Sequence, residues 1–178
     1  MELKETQAVI KRFRDYVVQQ SRSNLTKGGK NVSKKLYNSI KGEILNEDTY
    51  SLVGFSMDDY GAYQDKGVRG KFKSTKAPNS PYKFGSGSGR KGGLTEGIEK
   101  WVKTKGIQFR DKKSGKYITY KSTAFIITRS IFSTGLKPSL FFTKPFEAGY
   151  KKYIDVDLLK AFSKDIDTIV SFNLPAKW

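Results

Sequence analysis

Three aspartates that lie close together are the side chains of this sequence best suited to acid–base or metal chemistry. They are Asp58, Asp59 and Asp65, and Glu96 and Glu99 lie within the basic region that follows. Carboxylates alone can hold Mg²⁺, so a nuclease that uses Asp, Glu and Lys stays open as a hypothesis. However, adjacent side chains diverge on an extended backbone, and an active site needs a denser acidic cluster. We therefore expect no catalytic residue and no metal site.

The chain lacks two residue types, and their absence excludes several classes of enzyme. There is no His and no Cys among its 178 residues. His is the commonest general base and transition-metal ligand, and Cys supplies thiolate nucleophiles and disulfides. His-dependent catalytic triads and zinc sites with His or Cys ligands are therefore excluded, and we expect no cofactor. The Gly–Ser run at residues 85–90 lacks the Gly-Lys-Ser/Thr ending of a P-loop, so we do not interpret it as a nucleotide site.

Positive charge is the strongest compositional signal. Lys and Arg number 34 against 17 Asp and Glu, which gives a net charge of +17. Residues 66–121 hold 16 basic and 3 acidic side chains, so about three quarters of the net charge lies in less than a third of the chain. Such a block repels itself unless an anion lies near. The expected partner is therefore nucleic acid, an acidic membrane surface or an acidic protein.

The first part of the chain predicts two helices and a hairpin. Apolar residues recur at three- and four-residue steps over residues 2–22, which is the period of an amphipathic helix. Ser33 is positioned to cap a short helix that carries Leu36 and Ile40. Apolar residues on either side of a turn-like segment predict a β-hairpin over residues 43–55.

The middle of the chain predicts a long basic loop, a helix and a second hairpin. Residues 66–93 are rich in Gly, Ser and Pro, with aromatic residues among them. Residues 94–105 have helical spacing, with Trp101 on the apolar face. Residues 107–120 predict two strands around a turn.

The last part predicts three helices. Ser122 is positioned to cap the first, and Gly135 closes it. The second restarts near Pro145, since Pro suits a first helical turn. The third covers residues 156–170, with two aspartates, 155 and 157, near its start, where the helix dipole favours them.

These elements predict an α+β fold in a single domain of residues 1–178. An N-terminal amphipathic helix and a C-terminal helix flank a core in residues 30–150, where a small antiparallel sheet packs with helices. The charged N-terminus and the lack of long apolar runs predict no export signal and no insertion into a membrane, and we expect no membrane partner. We expect the protein to stay in the cytoplasm in which it is made.

Three short segments, taken in order, form a pattern. The first matches L-x-x-S-I at residues 36–40, and the second, residues 60–67, is similar to Y-A-x-Y-V-E-x-G. The third is similar to A-x-x-I-x-x-x-I-x-x-x-G-x-x-x-x-x-F-x-x-x-A, and its matching positions are Ala124, Ile131, Gly135, Leu136, Pro138, Phe141, Phe142 and Pro145. With the helix of Trp101 before the third segment, this order resembles the tail-completion or neck proteins that join head to tail in tailed bacteriophages. The sequence departs from the family at Gln64 and in its longer basic loop.

The resemblance implies a subunit that assembles into a sixfold ring around the channel through which DNA leaves the capsid. Its implied partners are other copies of itself, the adjacent neck, connector and tail proteins, and DNA that passes without sequence recognition. Its implied location is the virion, after assembly in the host cytoplasm. On this basis we predict a mobile arm that contacts DNA in the channel or a neighbouring ring through Lys71, Lys73, Lys76, Lys83, Arg90 and Lys91. The simpler interpretation of these cations is a solvated loop.

Aromatic and glycine residues of these segments have predicted structural roles. Tyr60, Tyr63 and Gly67 shape a strand-to-loop corner, in which Gly67 supplies a backbone angle that a side chain would forbid. The alternative is that both tyrosines are ordinary half-buried strand residues. We expect burial in the subunit's own core, or alternatively at a ring interface, for Phe141, Phe142 and Phe146.

A second hypothesis from another class is a monomeric protein that binds nucleic acid without sequence preference. Basic charge with interleaved Tyr and Phe suits stacking on single strands. No RNP-like or OB-like pattern accompanies it. Oligomeric state separates this hypothesis from the ring, and Mg²⁺-dependent cleavage would reveal the nuclease.

Overall fold

The computed structural model describes residues 3–29, 33–47, 50–85 and 93–173, and the side chains of all of these but residues 172 and 173. Its α-helices are α1 (Lys4–Lys27), α2 (Lys35–Ser39), α3 (Tyr60–Lys66), α4 (Gly93–Lys105), α5 (Tyr120–Thr134), α6 (Thr143–Gly149) and α7 (Leu158–Asn173). A π-helical segment, Tyr150–Asp157, joins α6 to α7. The strands are β1 (Lys41–Asn46), β2 (Ser51–Ser56), β3 (Val68–Arg69) and β4 (Gly135–Leu136). Within the described ranges, no helix is both long and apolar enough to cross a membrane.

The fold is α+β, as the sequence predicted, and the chain forms two compact units. The first unit comprises Met1–Asp58 and Phe141–Trp178, and the second comprises Asp59–Leu140. This division does not test the predicted single domain, which stays a prediction. Buried hydrophobic residues extend beyond the predicted core of residues 30–150, because α1 and α7 contribute Val9, Ile10, Phe13, Val17, Leu25 and Ala161.

The first unit is built on α1, whose predicted amphipathic character is confirmed. The buried residues of α1 recur at helical spacing: Val9, Ile10, Phe13, Val17, Ser21 and Leu25. The helix runs past the predicted end at residue 22 and stops at Lys27, where the amide of Gly28 donates to Asn24 O at 2.9 Å. Leu25 packs in a hydrophobic cluster with Leu36 and Ile40. The N-terminal helix is therefore part of the core.

The predicted hairpin and short helix are present in the first unit, with one correction. Strands β1 and β2 pair antiparallel, with Leu45 opposite Leu52. The N-cap of α2 is Lys34, in a left-handed conformation with φ 54°, and not Ser33 as the sequence predicted. Ser33 lies one residue before the cap because the chain turns at Lys34, and its Oγ accepts from the amide of Lys35 at 3.4 Å.

The C-terminal helices of the first unit follow one another without a break. The predicted start of α6 near Pro145 is confirmed, but the aspartates at 155 and 157 lie inside the π-helical segment and not at a helix start. Gly149, the last residue of α6, serves close packing. A Cβ on Gly149 would lie 3.0 Å from the Tyr16 ring and 3.2 Å from the Phe13 ring of α1.

The second unit contains two packed helices, α4 and α5. The predicted helix at 94–105 is confirmed, and Gly106 follows it with φ +65°. The N-cap of α5 is Thr119, whose Oγ1 accepts from the amide of Ser122 at 3.1 Å. Thr119, three residues earlier, thus accepts from an exposed amide of the first turn. Ser122 is therefore the third residue of α5 and not its cap.

Candidate nucleic-acid interface

Two segments of the second unit that lie far apart in the sequence meet in a short antiparallel sheet. Val68 of β3 pairs with Leu136 of β4, and Arg69 pairs with Gly135. The amide of Ser139 then donates to Asp65 O at 3.1 Å, and its Oγ donates to Gln64 O at 2.6 Å. Residues 60–67 and 135–138 belong to the second and third segments of the sequence pattern. The second segment and part of the third therefore meet at one hydrogen-bonded junction in space.

Glycines let the backbones approach closely at this junction. Gly67 has φ +71°, and a Cβ there would lie 2.5 Å from Leu136 O and 2.7 Å from the nitrogen of Pro138. Gly135 has φ +94°, and a Cβ there would lie 2.5 Å from Val68 O. Both positions combine a left-handed conformation with backbone contacts that cannot move aside, so any side chain is strained. The backbone angle that the sequence predicted for Gly67 is confirmed.

The corner that ends at Gly67 joins a helix to a strand, and not a strand to a loop as predicted. Tyr60 and Tyr63 lie in α3, on the surface, with 44% and 46% of their area exposed. The Tyr63 ring packs edge-on against Tyr82, with 4.5 Å between centroids. The alternative, in which both tyrosines are half-buried strand residues, is also wrong, because both lie in a helix. The segment is a helix of seven residues that ends at Gly67, where φ is positive.

The described part of the basic loop, residues 70–85, is anchored by hydrogen bonds. The amide of Lys71 donates to Phe132 O at 2.9 Å, and Ser80 Oγ donates to Gly67 O at 2.7 Å. Ala77 is buried, with 2% of its area exposed. Over these residues the predicted mobile arm is therefore a loop held against β3 and the end of α5.

The predicted cations of this loop lie on its outer surface as far as the structure describes them. Lys71, Lys73, Lys76 and Lys83 are exposed. Lys71 Nζ lies 5.7 Å from the ring centre of Phe72, a side chain with 74% of its area exposed. Arg90 and Lys91 lie outside the described residues. The loop thus displays lysines beside an exposed aromatic ring, which is the combination that binds single-stranded nucleic acid.

A second basic site lies at the turn between α4 and α5. Arg110 and Tyr117 form an isolated antiparallel bridge. The Arg110 guanidinium lies 4.6 Å from the centre of the Tyr117 ring and donates to its hydroxyl at 2.9 Å. The predicted hairpin over 107–120 is thus a tight turn with one bridge. The turn carries four exposed cations within seven residues: Arg110, Lys112, Lys113 and Lys116.

Asp111 holds this turn closed. Its Oδ1 accepts from the amide of Ser114 at 2.8 Å, from the Ser114 hydroxyl at 3.0 Å and from the amide of Lys113 at 2.9 Å. The backbone and hydroxyl hydrogen bonds of Ser114, followed by that of Lys113, lower the pKa of Asp111 below its ordinary value. The carboxylate therefore stays ionised well below neutral pH and fixes the geometry in which the lysines are displayed.

The remaining predicted site residues lie in the interior or at its edge. Trp101 is half-buried on α4, and Pro138 contacts the Gly67 corner. Phe141 is buried in the core of the first unit, with 2% of its area exposed, as predicted. Phe142 and Phe146 are only half-buried, in an aromatic cluster where their ring centres lie 5.9 Å apart. Burial in the subunit's own core is thus confirmed for Phe141 and partial for the other two.

The acidic residues that suggested metal chemistry have other contacts. Asp58 lies 3.7 Å from Lys35 Nζ in the first unit. Glu99 pairs with Lys103 at 2.7 Å, and this hydrogen bond lowers the pKa of Glu99 below its ordinary value. Asp65 is buried in α3, with 3% of its area exposed. Among the residues that the structure describes, no group of three or more carboxylates could hold a metal ion.

The turn between α4 and α5, with its four cations, was not predicted as a site. The sequence predicted a hairpin over residues 107–120 and anion contacts in the loop before α4. The signal was present in the run Arg110, Asp111, Lys112 and Lys113, because an Asp followed by Ser and Gly closes a tight turn and displays the flanking cations.

Comparison with known proteins adds no relative to this description. No family model, no curated protein and no solved structure matches the chain.

Proposed function

We propose that this chain is a structural subunit of the neck or upper tail of a tailed bacteriophage. In this proposal copies of the chain form a ring, sixfold as the resemblance implies, around the channel that DNA passes through. The ring completes the tail and joins it to the head together with adjacent neck, connector and tail proteins. It performs no catalysis, and it contacts DNA through phosphates without reading the sequence.

The glycine junction is the observation that carries the proposal. The two resembling segments of the second unit were recognised separately, as residues 60–67 and as the ending that includes Gly135 and Pro138. They form one junction, in which Gly67 and Gly135 both have positive φ and both make backbone contacts that exclude a side chain. A chance match of weak motifs has no reason to assemble in this way. The meeting of residues 60–67 with Gly135 and Pro138 supports the family on which the proposal rests.

The distribution of charge gives the ring its proposed contact with DNA. Asp59–Leu140 holds 18 basic and 5 acidic residues, a net charge of +13, whereas the first unit holds 16 and 12, a net charge of +4. Lysines outnumber arginines in the second unit, and lysine attracts a phosphate backbone as a point charge. The second unit is therefore the part of the subunit that we assign to the channel.

The second candidate is a nucleic-acid-binding protein that works outside a virion. Two features favour it specifically, namely the exposed Phe72 beside Lys71 and the Arg110–Tyr117 pair. Aromatic rings beside cations stack with unpaired bases. This candidate predicts tighter binding to single strands than to duplexes, whereas a channel subunit that contacts only phosphates of the packaged genome predicts no preference for single strands.

Immunogold labelling tests the proposal. Tailed particles are propagated with an epitope-tagged copy of the chain and labelled with gold, and a tagged major tail subunit serves as the control for access. We expect gold at the head–tail junction for this chain and along the whole tail for the control. Particles with a labelled control but no gold at the junction would contradict the neck assignment. Preferential binding of the purified chain to single strands would then establish the second candidate.

A further inference from the structure

Helix α7 carries a row of bulky apolar side chains on its exposed side. Leu159, Phe162, Ile166 and Val170 follow at steps of three and four residues, and 69%, 46%, 39% and 50% of their areas are exposed. A helix that only docks on its own domain buries such a row. Among the residues of α7 whose side chains the structure describes, the buried ones are instead the small Ala161 and the charged Asp165.

Asp165 fixes the rotation of α7 about its own axis. Its carboxylate accepts from the amide of Thr6 at 2.8 Å and from the amide of Glu5 at 3.1 Å, at the start of α1. Helix α1 has no side-chain cap of its own at Leu3, so Asp165 supplies that cap from the other end of the sequence. Lys164 adds an ion pair with Glu5 at 3.1 Å. The apolar row is therefore held on the outer side of α7.

We propose that this row is covered by the same row of a second copy of the chain, with the two α7 helices antiparallel. The row is self-complementary, to within one residue, about residues 164 and 165. In that register Leu159 faces Val170 of the second copy, and Phe162 faces Ile166 of the second copy. Each pairing repeats across the two-fold axis, as an isologous interface requires.

The charges beside the row match the antiparallel register. Lys160 and Asp167 are seven residues apart, which is about two helical turns, so they lie on the same flank of the row. A two-fold axis that reverses the helix direction keeps this flank on one side of the interface. It therefore places Lys160 of each copy near Asp167 of the other, in two ion pairs. A parallel pairing would move the flanks to opposite sides and would form neither pair.

This contact is separate from the proposed ring. A two-fold contact pairs subunits and does not by itself propagate around a ring, which needs a head-to-tail interface. The pairing therefore goes beyond the neck assignment. It is tested on the purified full-length chain without virion partners, so its failure and that of the neck assignment are read from different experiments.

Single cysteines test the pairing, because the natural chain has no Cys. Ser163 lies within the row, four residues after Leu159 and three before Ile166, and next to the proposed axis. With a short thiol-to-thiol crosslinker, we expect Ser163→Cys to give mostly covalent dimer. Thr168→Cys, an exposed position on the same helix but outside the row, should stay monomeric. Equal crosslinking of Ser163→Cys and Thr168→Cys would overturn the proposal. So would efficient crosslinking of Leu159→Cys, because Leu159 lies beside its own copy only in a parallel pair.

Charge reversal supplies a second readout that does not depend on crosslinking. Lys160→Asp or Asp167→Lys alone should raise the dimer dissociation constant in sedimentation equilibrium by roughly threefold to tenfold, since exposed ion pairs are individually weak and the axis forms two of them. The double variant should restore the natural value, because it re-forms both pairs with reversed sign. Additive weakening in the double variant, or no dimer in the natural chain, would contradict the antiparallel contact.

Discussion

The two units of this chain differ in what stabilises them and in what they display. The first unit buries large side chains, including Phe13, Leu25 and Phe141, and carries a net charge of only +4. In the second unit the buried hydrophobic residues that the structure describes are small, namely Val68, Ala77, Val102 and Ala124. There a glycine junction and loop hydrogen bonds define the path of the chain, and the surface carries most of the positive charge.

The difference between the two units shows that the large buried apolar residues and most of the net charge lie in different parts of the chain. A core of large apolar residues stabilises in proportion to the area it removes from water, so the first unit can tolerate surface changes. A dense block of like charge destabilises the compact state that carries it. In the second unit the structure therefore depends more on tight backbone geometry. We expect the glycines of its junction, Gly67 and Gly135, to be as sensitive to substitution as core residues.

The largest expected effect is the loss of a core aromatic residue in the first unit. Phe141→Ala should lower the free energy of unfolding by about 3–5 kcal/mol, because it removes buried area and leaves a cavity. Chemical denaturation followed by circular dichroism measures it. The control is Phe72→Ala in the second unit, where the ring is exposed, and it should change stability by less than about 0.5 kcal/mol. Similar losses in both variants would show that the core is not where the structure places it.

The glycine junction gives the next largest effect. Gly67→Ala should lower the free energy of unfolding by about 2–4 kcal/mol, because its Cβ meets two backbone groups at a positive φ. Gly97→Ala is the matched control in α4, where an added Cβ contacts nothing within 4 Å. It should stabilise the chain by about 0.5–1 kcal/mol through helix propensity. If Gly67→Ala were neutral, the junction would not control the path of the second unit.

Charge removal sharpens the comparison at the level of function. Four cations of the basic turn are changed to Gln: Arg110, Lys112, Lys113 and Lys116. The slope of log binding constant against log salt concentration for duplex DNA should fall by up to about 0.9 for each cation lost. The control changes four exposed cations of the first unit to Gln: Lys11, Arg12, Lys27 and Lys144. If the salt dependence of DNA binding fell equally in the two variants, the two units would not differ in their contact with DNA.

The smallest expected effect concerns acid sensitivity of the first unit. Burial raises the pKa of Asp165, but hydrogen bonds from Thr6 and Glu5 outweigh it, so that the net pKa lies below the ordinary value. A lowered pKa stabilises the fold above the unfolded value of about 4 and loses that contribution as the pH falls through the folded value. Asp165→Ala should therefore have a lower melting temperature than the natural chain at pH 7. The difference should shrink below about pH 4, and a pH-independent difference would exclude the carboxylate as its cause.

Much of the fold could be predicted from periodicity, because the helices with strong apolar spacing are local. The sequence indicated α1, α4 and the β1–β2 hairpin within a few residues. It misassigned residues 60–66 as a strand, since a helix of seven residues is too short to show a period. It began the last helix at residue 156, whereas a π-helical segment, Tyr150–Asp157, joins α6 to α7 without a break.

The candidate site was less predictable, because its parts come together only through tertiary contacts. The φ of Gly67 was correctly expected, but no local signal shows that Gly135 pairs with Arg69 and completes the same junction. The basic loop was recognised by composition, yet its anchoring depends on hydrogen bonds to residues 132 and 133, about sixty positions away. Composition therefore indicated where the charge lies, and only the fold shows which cations are held in place.

Image averaging of tailed particles that carry a tagged copy of the chain tests the central claim most directly. The account predicts a ring of extra density at the head–tail junction, with the rotational symmetry of the neck and with the second units lining the channel. Tag density elsewhere in the particle, or particles that contain the chain in no fixed place, would contradict it.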